Sequence, residues 1–537
     1  MVTYASRPLV LIRGFGGLDV ADERSSAYQG FNDGTVYEKK RGDNYIYEGF
    51  VLRALKSDRY RYSDATNVIG YYKAPVEAPD EHDGFDAGDV SGTVAIDPGT
   101  AARVLAGAPP STIWVYRYYD LEPRSLARYG AGLVRLFDLI EIGMKKNGIT
   151  FSGIDVVAHS MGGLVVREAL LALERRQPNS AQDLIHRIVT LGTPHRGIAF
   201  QRIPRWILDA LPLAQDASDE LASFSPSSTR FLEIEKAFPV DRILTVVGTN
   251  YRAYGATAAS FANRLSNLFD GGTLETNRSD GLVKQSAAQL PGAPRAFVHK
   301  CHGGVDSLVT ARESYEIAMR FFHGTHRVRL WLDRADITRG GDWFGRSEFY
   351  LGVSIKPRYV DFELFHQSSE AENCYGPCRR EDLADTLPDL EQELRKPLAA
   401  TGDDTTGWAG PERLLWEGWV DAGDKVEESA PGLVFRLDLY VGERDTRGIG
   451  FSDNLIFGKQ YYAQVFPQPG GPRMFLHTSE RYLGGSGLDS PDEIDRIATD
   501  DPRDDVQRAR RTARGHWTFD VGGTGFAGTV RLAIDAV

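Results

Sequence analysis

The feature that most restricts how this chain folds is a junction. The apolar run Gly153–His159 passes through Ser160-Met161-Gly162-Gly163 directly into a segment where Val165, Ala169 and Ala172 share one helical face. A strand that becomes a helix over so few residues must bend sharply. The residue at the bend takes a strained backbone conformation, and the residues two before and two after it must be small so that strand and helix can approach. Ala158 and Gly162 meet that need. Such a bend lifts the Ser160 hydroxyl clear of the sheet and aims the first helical amides, starting with Met161 N–H, at negative charge forming beside it.

The surrounding pattern is that of a layered α/β unit. Up to about residue 325, short apolar runs alternate with segments of helical period, as in a mainly parallel sheet covered by helices. Pro8–Ile12 and Thr112–Tyr119 read as interior strands, and His186–Leu191, Ile243–Gly248 and Ala296–Val298 as further strands, each followed by a loop. Between Ser125 and the Asn147-Gly148 stop, Leu126, Tyr129, Leu133, Phe137, Ile140 and Met144 recur every three or four residues, which predicts one amphipathic helix. A second is expected to end near Phe322. Residues 34–110, polar and rich in Gly, Pro and Asp, and residues 198–240, with helical pieces, read as insertions.

A hydroxyl is a weak nucleophile. Chemistry at Ser160 therefore requires a base and a carboxylate to orient it, in the chain order serine, acid, histidine that this α/β fold imposes. Asp280, in the turn Ser279-Asp280-Gly281-Leu282-Val283, is the leading acid, ahead of Asp270 and Asp306. For the base, His302 sits on the loop side of the strand end in Phe297-Val298-His299-Lys300-Cys301-His302 and is preferred to His299. A second oxyanion donor is expected in Arg13-Gly14-Phe15-Gly16-Gly17, after the first strand. Glycines there let the backbone approach a substrate, and Phe15 N–H joins Met161 N–H as donor.

On these segments residues 1–325 resemble bacterial lipases and lipase-like esterases of the α/β-hydrolase superfamily: RGFGG at 13–17, AHSMGG at 158–163, LGTPHRG at 191–197, SDGLV at 279–283 and HGG at 302–304. Arg13 stands where the first motif of such lipases usually has His, and Ala158 replaces the first Gly of G-x-S-x-G. The resemblance implies a two-step acyl transfer through Ser160, His302 and Asp280 that needs no cofactor, with His195 structural. It also implies a lid at 198–240, where Trp206, Leu208 and Leu211 belong to an apolar cluster that either opens on lipid or packs as a fixed cap. Ester or lipid hydrolysis is the first reading. An acyltransferase or an amide or thioester hydrolase uses the same residues, and a hydrolase fold without activity serves as a binding protein, so both alternatives stand beside it.

From Val328 onward the period changes to two, in VRLWLD, EFYLGVSI, FRLDLYV and TVRLAIDAV, with turns rich in Gly and Asp. Residues 326–537 are thus expected to form an all-β sandwich, interrupted around Arg379–Thr405. Asp342 to Tyr350, which includes Glu348, is similar to the first calcium loop of lipid-binding β-sandwiches of the protein kinase C type. Glu443, Asp445 and Asp453 fall in a stretch similar to their third loop. That likeness implies Ca²⁺ held by clustered carboxylates; the rival reading is a calcium-free sandwich.

A chain of 537 residues exceeds what one core supports, so two domains are expected. Lys+Arg 62 against Asp+Glu 74, a net charge of −12, argues against a general nucleic-acid or anionic-membrane binder; the lipase resemblance implies an ester or lipid as partner, with any contact to a lipid surface peripheral. Only Cys301, Cys374 and Cys378 occur, too few for a disulfide framework, and Cys374 and Cys378 read as incidental loop thiols rather than a small disulfide or metal pair. The first residues lack the pattern of a secretory signal, and no apolar run approaches the roughly 20 residues that span a bilayer, so a cytoplasmic location is the simplest expectation.

Overall fold

The computed structural model describes residues 7–14, 31, 34–36, 44–46, 49–57, 65–68, 75–76, 94–95, 112–116, 118, 126–195, 233–234, 236–250, 280–283, 285, 287–290, 292–303, 307–337, 347–357, 365–366, 414–421, 433–445, 454–466, 472–479, 492, 496 and 506–537. The chain divides into two compact units, most of the second being Met319–Val537.

Two small antiparallel pairs stand apart in the first unit, β2 (Gly34–Val36) with β3 (Asn44–Ile46) and β5 (Pro75–Val76) with β6 (Val94–Ala95). Its main sheet combines β1 (Leu9–Ile12), β4 (Ala65–Val68), β7 (Ile113–Tyr116), β8 (Ile154–His159), β9 (Ile185–Leu191), β10 (Ile243–Gly248) and β11 (Arg295–Val298), in the order β11-β10-β9-β8-β1-β7-β4. From β4 to β10 every neighbouring pair runs parallel. Part of the stretch 34–110, expected to be an insertion, thus belongs to the sheet itself, since β4 pairs with β7 from Ala65↔Ile113 to Val68↔Tyr116. Its sequence, Ala-Thr-Asn-Val, is too short and too polar to read as a buried strand; only pairing with β7 reveals it.

The apolar runs become interior strands because both faces of the sheet are covered. Val10, Ile12, Val156 and Ala158 face one side, where they form a core with helices α2 (Leu126–Lys146) and α3 (Gly162–Arg176) through Leu133, Phe137, Ile140, Val165 and Ala169. Leu9, Leu11 and Val157 alternate to the other face and are fully buried as well. α2 follows the predicted period and stops at Asn147-Gly148, where Gly148 N–H bonds to Lys145 O. Helix α1 (Phe50–Lys56) packs Phe50 edge-on against Tyr315. The end of the second expected insertion also joins the core, with Ile234, Ala237 and Phe238 all buried. A short helix α4 (Ser180–Leu184) leads into β9, and helix α5 (Arg312–His323) follows the last loop of the unit.

The second unit holds two antiparallel sheets. One combines β12 (His326–Ile337), β15 (Leu414–Val420), β20 (Arg510–Arg511), β21 (Trp517–Gly523) and β22 (Phe526–Ala536) in the order β15-β12-β22-β21-β20. The other combines β13 (Ser347–Pro357), β14 (Phe365–His366), β16 (Leu433–Asp445), β17 (Asn454–Phe466), β18 (Arg473–His477) and β19 (Gln507–Arg508) in the order β14-β13-β16-β17-β18-β19. Alternation is plain along β21, where Trp517, Phe519 and Val521 are buried and Asp520 is exposed. The sheets meet where Phe457 packs on Phe526, 4.8 Å between ring centres, and where Gly522 N–H bonds to Tyr461 Oη at 3.0 Å.

Phe137 is fully buried where α2 meets the sheet, so Phe137→Ala leaves a cavity that the rigid sheet cannot close. The expected cost is about 3–5 kcal/mol, read as a lowered urea midpoint for the first unit. A loss below about 1 kcal/mol would mean that α2 does not help to hold the sheet.

Candidate active site

Ser160 has φ +53°, left-handed backbone that non-glycine residues rarely take and that costs on the order of 1–3 kcal/mol. Hydrogen bonds on both sides fix it there. Ser160 N–H bonds to Leu191 O on the neighbouring strand at 2.9 Å, and Gly163 N–H to Ser160 O at 3.1 Å. The two small residues expected around the serine are there for close approach: a Cβ on Gly162 would lie 2.5 Å from Ile12 O, and Ala158 pairs with Ile12 across β1. Gly14 is as closely packed, since a Cβ there would stand 2.4 Å from Ser160 Cβ and 2.9 Å from Met161 N. The sequence suggested that this glycine loop approaches a substrate. At Gly14 it approaches the bend that carries Ser160.

Three loops at the carboxyl ends of the parallel strands bring the other groups to Ser160, where open α/β sheets gather ligands. His302, in the loop after β11, places Nε2 2.9 Å from Ser160 Oγ. Its Nδ1 lies 2.7 Å from Asp280 Oδ2, and its own backbone N–H bonds to Asp280 O at 2.8 Å. Since a carboxylate only accepts, Nδ1–H donates, and Nε2 is left with a lone pair for the serine hydroxyl. Asp280 divides its oxygens: Oδ1 accepts the backbone N–H groups of Leu282 and Val283, at 3.0 and 2.8 Å, which frees Oδ2 for the imidazole. His302 and Asp280 are both buried. Gly192, after β9, passes beneath this pair at φ +56°, and a Cβ there would lie 2.8 Å from Asp280 Oδ2 and 3.0 Å from His302 Nδ1.

Two further histidines are buried nearby. His159 donates Nε2–H to His302 O at 2.9 Å and lies against the His302 ring in a tilted contact, 4.8 Å between centres. Burial holds its pKa well below the ordinary imidazole value, and repulsion from a proton on His302 and from Arg13 lowers it further. His195 shares a hydrogen bond of 2.8 Å with Thr190 Oγ1, and its carbonyl accepts Arg167 Nη1–H at 3.0 Å. Burial and then the Arg167 charge push its pKa well down.

Ser160, Asp280, His302 and Met161, the residue opening α3, are therefore brought together, whereas Phe15, Asp270, Asp306, Trp206, Leu208 and Leu211 lie outside the described residues. So do Asp342, Asp453, Cys374 and Cys378. Glu348, Glu443 and Asp445, expected in calcium loops, are instead on strands: β13 and β16 pair Glu348 with Arg444, Phe349 with Glu443 and Ser347 with Asp445. Among the described residues no group of three or more His, Cys, Asp or Glu is placed to hold a metal ion, and no helix is long and apolar enough to cross a membrane. Sequence reasoning missed His159 as a partner of His302. Its position next to the serine was visible, but the contact joins residues 143 apart in the chain.

Fold and bend together define the first unit as an α/β-hydrolase-type domain. Residues 123–202 match the model of the PGAP1-like alpha/beta domain. No curated protein matches the chain. Among solved structures it is similar to a Bacillus licheniformis lipase in propeptide form, at 13% identity over 66% of this chain and 87% of that one, with a TM-score of 0.27. A Legionella pneumophila phospholipase shares 12% identity over 66% of this chain and 85% of that one, with a TM-score of 0.26. A carbohydrate esterase from gut microbiota shares 11% over 59% and 86%, with a TM-score of 0.22. Likeness at this level carries no argument about chemistry, which has to come from the residues.

Gly192 and Gly148 make a matched pair for testing the site's packing. Both have positive φ, but a Cβ on Gly148 meets nothing within 4 Å. Gly148→Ala should carry only the left-handed backbone cost, about 1–2 kcal/mol, and Gly192→Ala that cost plus displacement of Asp280 and His302. Equal losses of thermal stability in the two variants would contradict the packing described.

The depressed pKa values of His159 and His195 also set a pH dependence. An imidazole harder to protonate when folded binds its proton preferentially in the unfolded chain, whose value is about 6.5. Stability should be complete above that pH and decline as pH falls through 6 toward 5. Urea unfolding of wild type and His195→Gln at these pH values tests this, the variant being expected to show the shallower decline.

Proposed function

We propose that the chain is a serine carboxylester hydrolase, an esterase or lipase, in which Ser160, His302 and Asp280 form the catalytic triad. The observation that carries this reading is the hydrogen-bonded line from Ser160 Oγ through His302 Nε2 and Nδ1 to Asp280 Oδ2, at 2.9 and 2.7 Å. In the reaction, His302 Nε2 takes the hydroxyl proton as Ser160 Oγ attacks the ester carbonyl. Asp280 holds the imidazole in the required tautomer and stabilises the imidazolium that forms. The N–H groups of Met161 and Phe15 receive the oxyanion, and Met161 suits that role because it stands at the start of α3, where backbone amides point outward. The imidazolium then protonates the departing alkoxide. Water, deprotonated by the same imidazole, attacks the acyl-enzyme and releases the acid.

A lipid as the natural ester, a lid formed by residues 198–240, and a sandwich-type second domain beginning near residue 326 belong to the same proposal. They rest on the sequence: the apolar cluster around Trp206, Leu208 and Leu211 is the kind of surface that covers an apolar substrate.

Wild type is expected to react with a fluorophosphonate probe and to hydrolyse p-nitrophenyl esters. Ser160→Ala should lose the label and reduce kcat by about 10⁶-fold, and Asp280→Asn by about 10⁴-fold with the fold intact. Activity of Ser160→Ala equal to wild type across triglyceride, phospholipid and short-ester substrates would overturn the assignment. Rising activity with acyl length in the same panel separates lipase from esterase.

A further inference from the structure

We infer that His159, the residue preceding the proposed nucleophile, is a positioning residue that fixes His302 to the strand carrying Ser160. The inference rests on the proposed roles of Ser160 and His302 and adds to them the question of how the base is held.

His302 lies in a loop, so its ring is placed only as well as its backbone is fixed. Both backbone polar atoms of His302 are tied. Its N–H goes to Asp280 O at 2.8 Å, and its carbonyl accepts Nε2–H of His159 at 2.9 Å. The second tie connects the base to the residue bonded to the nucleophile, so a shift of the strand end carries both reacting groups together. Ring contact adds to it, with the two imidazole centres 4.8 Å apart and the planes inclined by 43°.

The chemistry of His159 fits this task and no proton-transfer role. A carbonyl accepts only, so Nε2 carries the proton. Nδ1 is buried and has no hydrogen-bond partner among the described residues, so a second proton there would leave an unsolvated charge beside the His302 ring. His159 thus stays neutral while His302 becomes imidazolium, and the two rings do not compete for the serine proton. Burial leaves it no route to solvent.

Three variants decide the matter. His159→Leu keeps the bulk and removes the donor, and His159→Gln places an amide N–H close to the former Nε2. His159→Asn ends short of the carbonyl and stands in for Leu if Leu disturbs the fold. At a temperature where circular dichroism shows each protein folded, kcat toward p-nitrophenyl acetate and the rate of fluorophosphonate labelling should fall about 100-fold in His159→Leu or His159→Asn, with KM changed less than about twofold. Gln should recover most of the loss. The loss should appear as a lower plateau of the kcat–pH profile, with the donor-free variant below wild type at every pH. A donor-free variant with wild-type kcat, or a Gln variant as impaired as Leu, overturns the inference. Absence of labelling in wild type would instead sink the proposed triad.

Discussion

The left-handed backbone at Ser160 is the constraint around which the first unit is arranged. A serine does not hold that conformation alone, because its Cβ crowds the following carbonyl. Here the strain is offset by neighbours that leave it no alternative: a strand pairing at Leu191, the first turn of α3, and the close pass of Gly14 and Gly162 between β1 and β8. Those contacts exist only because the sheet is buried on both faces and therefore rigid. The core formed by α2, α3 and the apolar strands is what keeps a high-energy turn populated.

Electrostatics distinguish three imidazoles that composition alone makes equivalent. Among the described residues neither His159 nor His195 has a carboxylate acting on it, and burial holds both neutral. His302 is buried too, but Asp280 Oδ2 accepts from its Nδ1, so a positive charge arriving on that ring is compensated where it forms. In the proposed reaction this difference suits His302, rather than its two neighbours, to receive the serine proton. Asp280 is prepared for it by its own turn, whose two amides occupy Oδ1 and orient the other oxygen.

Much of this was legible beforehand. Strand runs such as Ile243–Gly248 and the helix over Leu126–Lys146 follow from hydrophobic period, since their burial is set by residues close in sequence. Ser160 was legible because small residues around a strand–helix bend leave a local signature. Asp280 and His302 were preferred on chain order and turn chemistry, and their convergence was not readable from spacing. The strand Ala65–Val68 escaped because edge pairing compensates for a weak pattern, and Glu443 and Asp445 were expected in a loop because their stretch is similar to a calcium loop, a likeness that carries no information on pairing with the neighbouring strand.

The sequence by itself determined the layers, the period change near residue 328 and the bend at Ser160, all properties of short stretches whose dihedral preferences and burial pattern are local. Tertiary structure alone decided which histidine meets the serine, which oxygen of Asp280 meets that histidine, and that His159 closes on the His302 carbonyl. These contacts span 22 to 143 residues, and hydrogen bonds form over about 3 Å, a distance that only the ordering of the parallel strands establishes.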